Sequence, residues 1–199
     1  MDFLETKCSF QSFTENLINT SENFECDNDD LNDFFLNDCI HYSKELLGKS
    51  YCFTLDEDET KIVCAFTISN DSIKVNTLPN SRKKVVINAI PRQKHFKSYP
   101  AVLIGRLGVN LKFGRKGIGT ELMDFIKSWF IDKDNKTGCR FIVVDSYNTV
   151  NAINFFLKNN FVFLFSTEKQ EKEHMGLNST DELKTRLMFF DLITLEIKD

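Results

Sequence analysis

The stretch Gly114-Arg115-Lys116-Gly117-Ile118-Gly119-Thr120 places three glycines and two cations directly before a segment of helical periodicity, and an apolar run over 101–109 precedes it. The order strand, glycine-rich turn, helix suits an anion. At a helix start the first backbone N–H groups have no partner inside the helix, and the aligned peptide dipoles leave about half a positive charge there. A pyrophosphate satisfies both. Glycine at 114, 117 and 119 removes the Cβ atoms that would hold a phosphate away from the amides, and Arg115 and Lys116 add charge at the rim. Glycines that serve only for turning would give the same pattern. Two nucleotide fingerprints fail: no G-K-[ST] closes a Walker-type loop, and no acidic residue stands at the end of a following strand after a G-x-G-x-x-G.

The elements that must position this turn follow from hydrophobic period. Residues 28–47 read as a helix opened by Asp27/Asn28, with Leu31, Phe34, Phe35, Cys39 and Tyr42 as its apolar stripe and Gly48 as its stop. Runs at 50–55 and 61–69 alternate around the acidic turn Asp56-Glu57-Asp58-Glu59 and predict a hairpin. A short basic helix is expected over 80–89, then a strand over 101–109 whose glycines, Gly105 and Gly108, suggest a bulge or a close backbone approach. Ile118, Leu122, Phe125, Ile126 and Trp129 give residues 117–133 one core-facing helical stripe. Residues 141–144 read as a strand covered on both faces, 149–159 as a helix, and 161–165 and 185–192 as two final strands, with 166–183 as loop. Strands with helices between them imply a mixed sheet with parallel crossovers, and residues 1–199 are expected to form a single domain.

Composition narrows the classes further. Hydrophobic residues make up 42% of the 199, enough for a sizeable core, and the aromatics are 20 Phe against one Trp, which reads as packing rather than a base-stacking platform. Net charge is −4, but it is unevenly spread: −11 over residues 1–81 and +7 over 82–199. The second part can therefore face an anion although the whole chain attracts none. Six cysteines show no C-x-x-C pair and sit among apolar residues, so neither a zinc site nor a disulfide framework is expected. His41, His95 and His174 are scattered and build no triad. No apolar run is long enough for a membrane span and no secretory signal opens the chain, so the expectation is a cytoplasmic protein without membrane association.

With these residues in place the sequence resembles the GNAT acetyltransferase superfamily. Its motif Q/R-x-x-G-x-G/A is matched by Gly117-Ile118-Gly119, while Gly114 takes the Q/R position and Arg115 stands one place later. Downstream, Asn148, Ala152, Phe155, Phe156 and Phe161 are similar to the family's N-x-x-x-A-x-x-F-Y-x-x-x-G-F segment. Phe24, Cys26, Leu31 and Asn32 resemble the F-x-C-G-x-x-x-L-N block of the toxin-like branch that acetylates aminoacyl-tRNA, with Asp27 in place of its glycine. Residues 104–109 resemble that branch's L-G-R-L-A-V.

The resemblance implies a GNAT-like α/β fold: a mixed, mostly antiparallel sheet with a splayed parallel strand pair, flanked by helices. It also implies acetyl-CoA as acetyl donor, held by Leu107, Gly108, Val109, Gly114, Arg115, Lys116, Gly117, Ile118, Gly119 and Thr120, with Asn148, Asn151, Phe155 and Phe156 beyond. An N–H of Leu107 or Val109 would polarise the thioester carbonyl and stabilise the oxyanion formed when an amine attacks. The family's tyrosine, which protonates the departing thiolate, falls on Phe156, which has no proton to give. Tyr147, just beyond the expected strand, is a candidate substitute, its alternative being a tyrosine packed at a strand end. Asp145 is a conceivable base for the amine or a cap for the next helix. Arg82, Lys83, Lys84, Arg92, Lys94 and Lys97 form a segment without carboxylates that would receive tRNA phosphates or, more plainly, be a solvated basic face. An antitoxin and a second copy of the chain are further partners suggested by the resemblance. A CoA-binding or RNA-binding module that has lost catalysis is the competing reading, and Phe156 is the feature that separates the two.

Overall fold

The computed structural model describes residues 2–88, 90 and 96–196. The chain opens with α1 (Phe3–Lys7), β1 (Cys8–Ser12) and α2 (Glu15–Thr20), followed by the helical segment α3 (Asp29–Asp33), one π-helical turn (Phe34–Asp38) and α4 (Cys39–Lys44). The hairpin β2 (Lys49–Leu55) and β3 (Asp58–Ile73) leads to α5 (Asn80–Ile87), β4 (Tyr99–Val109), a 3-10 turn (Leu111–Phe113) and α6 (Ile118–Ile131). The last part contains β5 (Phe141–Tyr147), α7 (Val150–Lys158), β6 (Val162–Phe163), α8 (Glu168–Met175), β7 (Thr185–Asp191) and α9 (Ile193–Glu196). The strands form one sheet in the order β1-β2-β3-β4-β5-β7-β6, mostly antiparallel with the parallel pair β4–β5. This is the mixed α/β architecture expected from the sequence.

Two compact units share the chain. The first joins Met1–Ser69 to Ile104–Trp129, and the second joins Asn70–Leu103 to Phe130–Asp199. In the first unit, antiparallel register sets Phe10 opposite Phe53 and Tyr51 opposite Phe66, so period-two alternation gathers four rings on one sheet face. The α6 stripe lies on them, Phe125 with its ring centroid 4.7 Å from that of Phe10 and Trp129 5.0 Å from Tyr51. A second cluster of Leu31, Phe34, Phe35 and Cys39 packs with Cys52, Ile62 and Ala65. Hydrophobic burial of this kind is what fixes α3 and α4, whose separate lengths are too short for independent stability. In the second unit Tyr99, Phe141, Val143, Phe165 and Phe189 are central to a core that also holds Val86 of α5.

Several sequence expectations are corrected. The helix over 28–47 carries a π turn and ends at Lys44, short of Gly48, and Leu46 just beyond it is left-handed at φ 60°. Gly48 has a different reason to be glycine, since a Cβ there would lie 2.5 Å from Tyr42 Cε1 and 2.8 Å from the Ile68 carbonyl oxygen. The strand expected over 161–165 shrinks to two paired residues, and β3 runs four residues beyond Ser69 to Ile73. Residues 166–183 are not all loop, because α8 stands among them, capped by Thr167, whose Oγ1 accepts from Gln170 N, and closed by Gly176 at φ 70°. Its face is charged rather than apolar, which hid it from a reading by hydrophobic period.

Candidate functional site

Gly108, near the end of β4, is buried against the loop before α3. A Cβ at this position would meet Cys26 Sγ at 3.2 Å and the Phe24 ring at 3.3 Å, so a glycine is needed for the loop to lie this close. Two distant sequence blocks, Phe24-Glu25-Cys26 and Leu107-Gly108-Val109, are thereby joined. Asn32 Oδ1 accepts from Cys26 N (2.7 Å) while its Nδ2 donates to Cys26 O (3.1 Å), which locks the loop to α3. Burial pushes the Cys26 thiol up, so it packs as a neutral group. Arg106 lies over the Phe34 ring, 5.1 Å from its centroid.

The strand end is then anchored at Asn110. Its backbone N–H donates to Val63 O (2.9 Å), its Nδ2 to Ile62 O (3.0 Å), and its Oδ1 accepts from Lys112 N (3.0 Å), so one buried side chain ties β4 to β3 and caps the 3-10 turn. Leu111 N–H donates to Glu25 O (2.9 Å). The turn that follows is therefore held from behind and open in front.

Arg115 and Gly117 adopt positive φ, 61° and 83°. For Gly117 this costs little; for Arg115 it is the rarer left-handed conformation of a non-glycine residue. A Cβ on Gly117 would meet nothing within 4 Å, and Arg115, Lys116, Gly117 and Thr120 are exposed. Thr120 N and Glu121 N donate to Gly117 O, which starts α6. Among the described residues, the N–H groups of Arg115, Lys116, Gly117, Ile118 and Gly119 donate to none of the carbonyls that close these turns. Ile118 brings only its amide, since its side chain is buried. Glu121, in the first turn of α6, has its carboxylate engaged: Oε2 accepts from Leu4 N at 2.9 Å. The result is a cluster of open donors with two cations at the rim, an arrangement whose chemistry suits an anion.

In the second unit Tyr147 is the last residue of β5, half-buried and opposite Thr185 of β7. β5 is longer than the sequence suggested, so Tyr147 lies within the strand rather than beyond it. Ser146 is buried on the other face, and Asp145 is exposed. The cap of α7 is Thr149, whose Oγ1 accepts from Ala152 N, and not Asp145. Asn148 has its amide committed within the fold: Nδ2 donates to Leu183 O (2.9 Å) and Glu168 Oε1 (3.1 Å), and its N–H to Lys184 O. Asn151 is exposed, and Phe155 and Phe156 are half-buried with ring centroids 5.1 Å apart. Asn160, at φ 64°, adopts the left-handed conformation where the resembling segment has glycine.

The basic segment divides. Arg82 points inward, its Nε donating to Leu164 O (2.9 Å) and its Nη2 to Phe163 O, so it holds β6 rather than offering a free cation. Lys83 is half-buried, Lys84 and Lys97 are exposed, and Arg92 and Lys94 lie outside the described residues.

Asp29 and Asp30 stand in the first turn of α3, where negative charge suits the helix dipole. In the structure Glu25, Asp27, Asp29 and Asp33 line a cavity of ≈ 690 Å³ together with Phe24 and Leu111, beside the strand end that carries Gly108. Carboxylates around a cavity favour a protonated amine over an anion. The signal was present in the acidic bias of residues 1–81, but only the fold gathers these carboxylates with Leu111 around one cavity.

Residues 19–161 match the family described as the Acetyltransferase (GNAT) family. No curated protein matches the chain. Among solved structures, the chain is similar to AtaT complexed with acetyl-methionyl-tRNAfMet (17% identity, TM-score 0.64, covering 96% of this chain and 98% of that one). It is similar to AtaTR bound with acetyl-CoA (15%, TM-score 0.62, 96% and 97%). A third neighbour is a tyrosine-to-phenylalanine mutant of the AtaT toxin bound to the C-terminus of the antitoxin AtaR (14%, TM-score 0.61, 96% and 97%).

Proposed function

The chain belongs to the acetyltransferase (GNAT) family, and from that premise we propose that it transfers the acetyl group of acetyl-CoA to a primary amine, with aminoacyl-tRNA as the acceptor. The observation that carries this reading is the row of amides from Arg115 to Gly119 that donate to none of the turn-closing carbonyls, with Arg115 and Lys116 exposed beside them. These groups suit the pyrophosphate of CoA, and the open space at Gly117 leaves room for it. Bound acetyl-CoA supplies an activated thioester. This chain's part is to hold it, to place an N–H of Leu107 or Val109 against its carbonyl oxygen, and to return a proton to sulfur. Phe156 cannot donate that proton. Tyr147 is the acid of this reading.

Two neighbours support the substrates, one holding acetyl-methionyl-tRNA and one acetyl-CoA. Lys84 and Lys97 are the exposed cations available to tRNA, with Lys83, Arg92 and Lys94 beside them in sequence. An antitoxin partner is supported by the neighbour bound to one. The acid-lined cavity favours a second acceptor, a small or protein-borne amine that carries positive charge.

The test is calorimetric titration with acetyl-CoA, with Gly117→Glu as control. Binding in the micromolar range that the variant loses supports the cradle, and absence of binding in both overturns the reading. Acetylation of methionyl-tRNA or of spermidine then separates the two acceptors. A protein that binds acetyl-CoA but acetylates neither, and gains activity as Phe156→Tyr, would be a module whose catalysis has decayed.

A further inference from the structure

The helix α8, mostly charged and absent from the sequence pattern, is fastened to the end of β5 that carries Tyr147. Glu171 is fully buried, with Oε2 2.7 Å from Arg186 Nε and Oε1 accepting from Leu187 N. Arg186 is itself 9% exposed at its side chain, lies over the Phe163 ring with its guanidinium carbon 4.4 Å from the centroid, and stands opposite Ser146 in the β5–β7 register. One turn earlier on α8, Glu168 faces the same guanidinium at 3.9 Å and accepts from Asn148 Nδ2 at 3.1 Å. Asn148 is the residue directly after Tyr147. A buried ion pair thus anchors the helix, and a carboxylate one turn away holds the residue that follows the proposed acid.

His174 packs its ring 4.8 Å from that of buried Phe165, and the Glu171–Arg186 pair adds a directional tie. Buried pairs with every lone pair satisfied contribute little net stability but impose one arrangement. A proton donor needs that, because transfer falls steeply when donor and acceptor move apart.

We propose that Glu168, held in place by the Glu171–Arg186 pair, is a positioning residue for Tyr147, acting through Asn148 to fix the end of β5. This rests on the reading of Tyr147 as the acid. Glu168 is half-exposed, so its replacement leaves the core intact.

The experiment uses full-length protein labelled with 3-fluorotyrosine. The chain has four tyrosines, and the Tyr147 resonance is assigned by its loss in Tyr147→Phe. Glu168→Ala is expected to shift or broaden that resonance alone, leaving Tyr42, Tyr51 and Tyr99 unmoved, and Glu168→Gln, which keeps an acceptor for Asn148, to restore it. In turnover with acetyl-CoA and methionyl-tRNA, Glu168→Ala should lower kcat about tenfold with KM for acetyl-CoA unchanged, and should have no further effect in the Tyr147→Phe background. An unmoved Tyr147 resonance in Glu168→Ala, or an equal loss of kcat in both backgrounds, overturns the proposal. Wild-type kcat in Tyr147→Phe instead removes Tyr147 as the acid, whatever the resonance does, and so marks failure of the functional reading rather than of the clamp.

Discussion

Phe156 and Tyr147 pose the sharpest question at the scale of single residues. A positioned acid contributes about 10²- to 10⁴-fold to a proton transfer, so Tyr147→Phe is expected to lower kcat by at least about a hundredfold while acetyl-CoA binding, read by calorimetry, stays the same. Gly117→Glu acts in the opposite way. Its carboxylate would stand before the open amides and beside Arg115 and Lys116, repelling phosphate, and a side chain at φ 83° is strained in addition. Acetyl-CoA affinity should fall more than about tenfold by titration, as expected when about 1.4 kcal/mol or more of interaction is lost. The two variants separate binding from chemistry. The glycine turn before α6 was legible because it depends on backbone, and backbone freedom is written in glycine positions. The commitments of Asn148 and Arg82 were not legible, since each is tied to carbonyls or a carboxylate at least 20 residues away in sequence.

Among the elements, β4 and its flanking loop decide where the cradle stands. Gly108→Ala would press a Cβ to 3.2 Å from Cys26 Sγ, and overpacking of this kind costs about 1–3 kcal/mol. The loss should appear as a lower urea midpoint and be partly reversed when Cys26→Ala makes room, a non-additivity that measures their contact. Asn110→Ala leaves the Ile62 carbonyl without its side-chain donor and the turn at Lys112 without its acceptor, a loss of about 1–3 kcal/mol readable in the same titration. Weaker acetyl-CoA binding should accompany it, because the turn that carries the amides would lose its anchor. Strongly periodic elements such as α6 were visible in the sequence, since their stability comes from an apolar stripe. α8 was invisible for the converse reason: a buried Glu171–Arg186 pair holds it, and a pair formed across 15 residues leaves no local pattern.

For the whole molecule, buried thiols set a pH limit. Burial pushes Cys39 to about 11 and Cys52 to about 12, and Cys8 and Cys139 to about 11, from an ordinary value of 9.0. Above pH 9 the unfolded chain releases thiol protons that the folded chain keeps, so the unfolded state binds fewer protons and stability falls as pH rises. Stability from these groups is thus complete below about pH 9 and is lost between about 9 and 12. Thermal unfolding over that range should show a falling Tm, less steep in Cys52→Ala, and an equal slope in the variant would refute the assignment. Alkylation at pH 8 should leave Cys39, Cys52 and Cys64 unmodified until the protein unfolds. By itself the sequence determined the strand, glycine turn and helix of the cradle, the α/β class and the thiols' apolar setting, because each is encoded locally in period, glycine placement and composition. Only tertiary structure decided that Phe24 and Cys26 abut Gly108, that acidic residues of the α3 loop line a cavity there, and that α8 grips the end of β5. Those contacts join residues far apart along the chain, and their energy comes from close packing and desolvation, which no local pattern records.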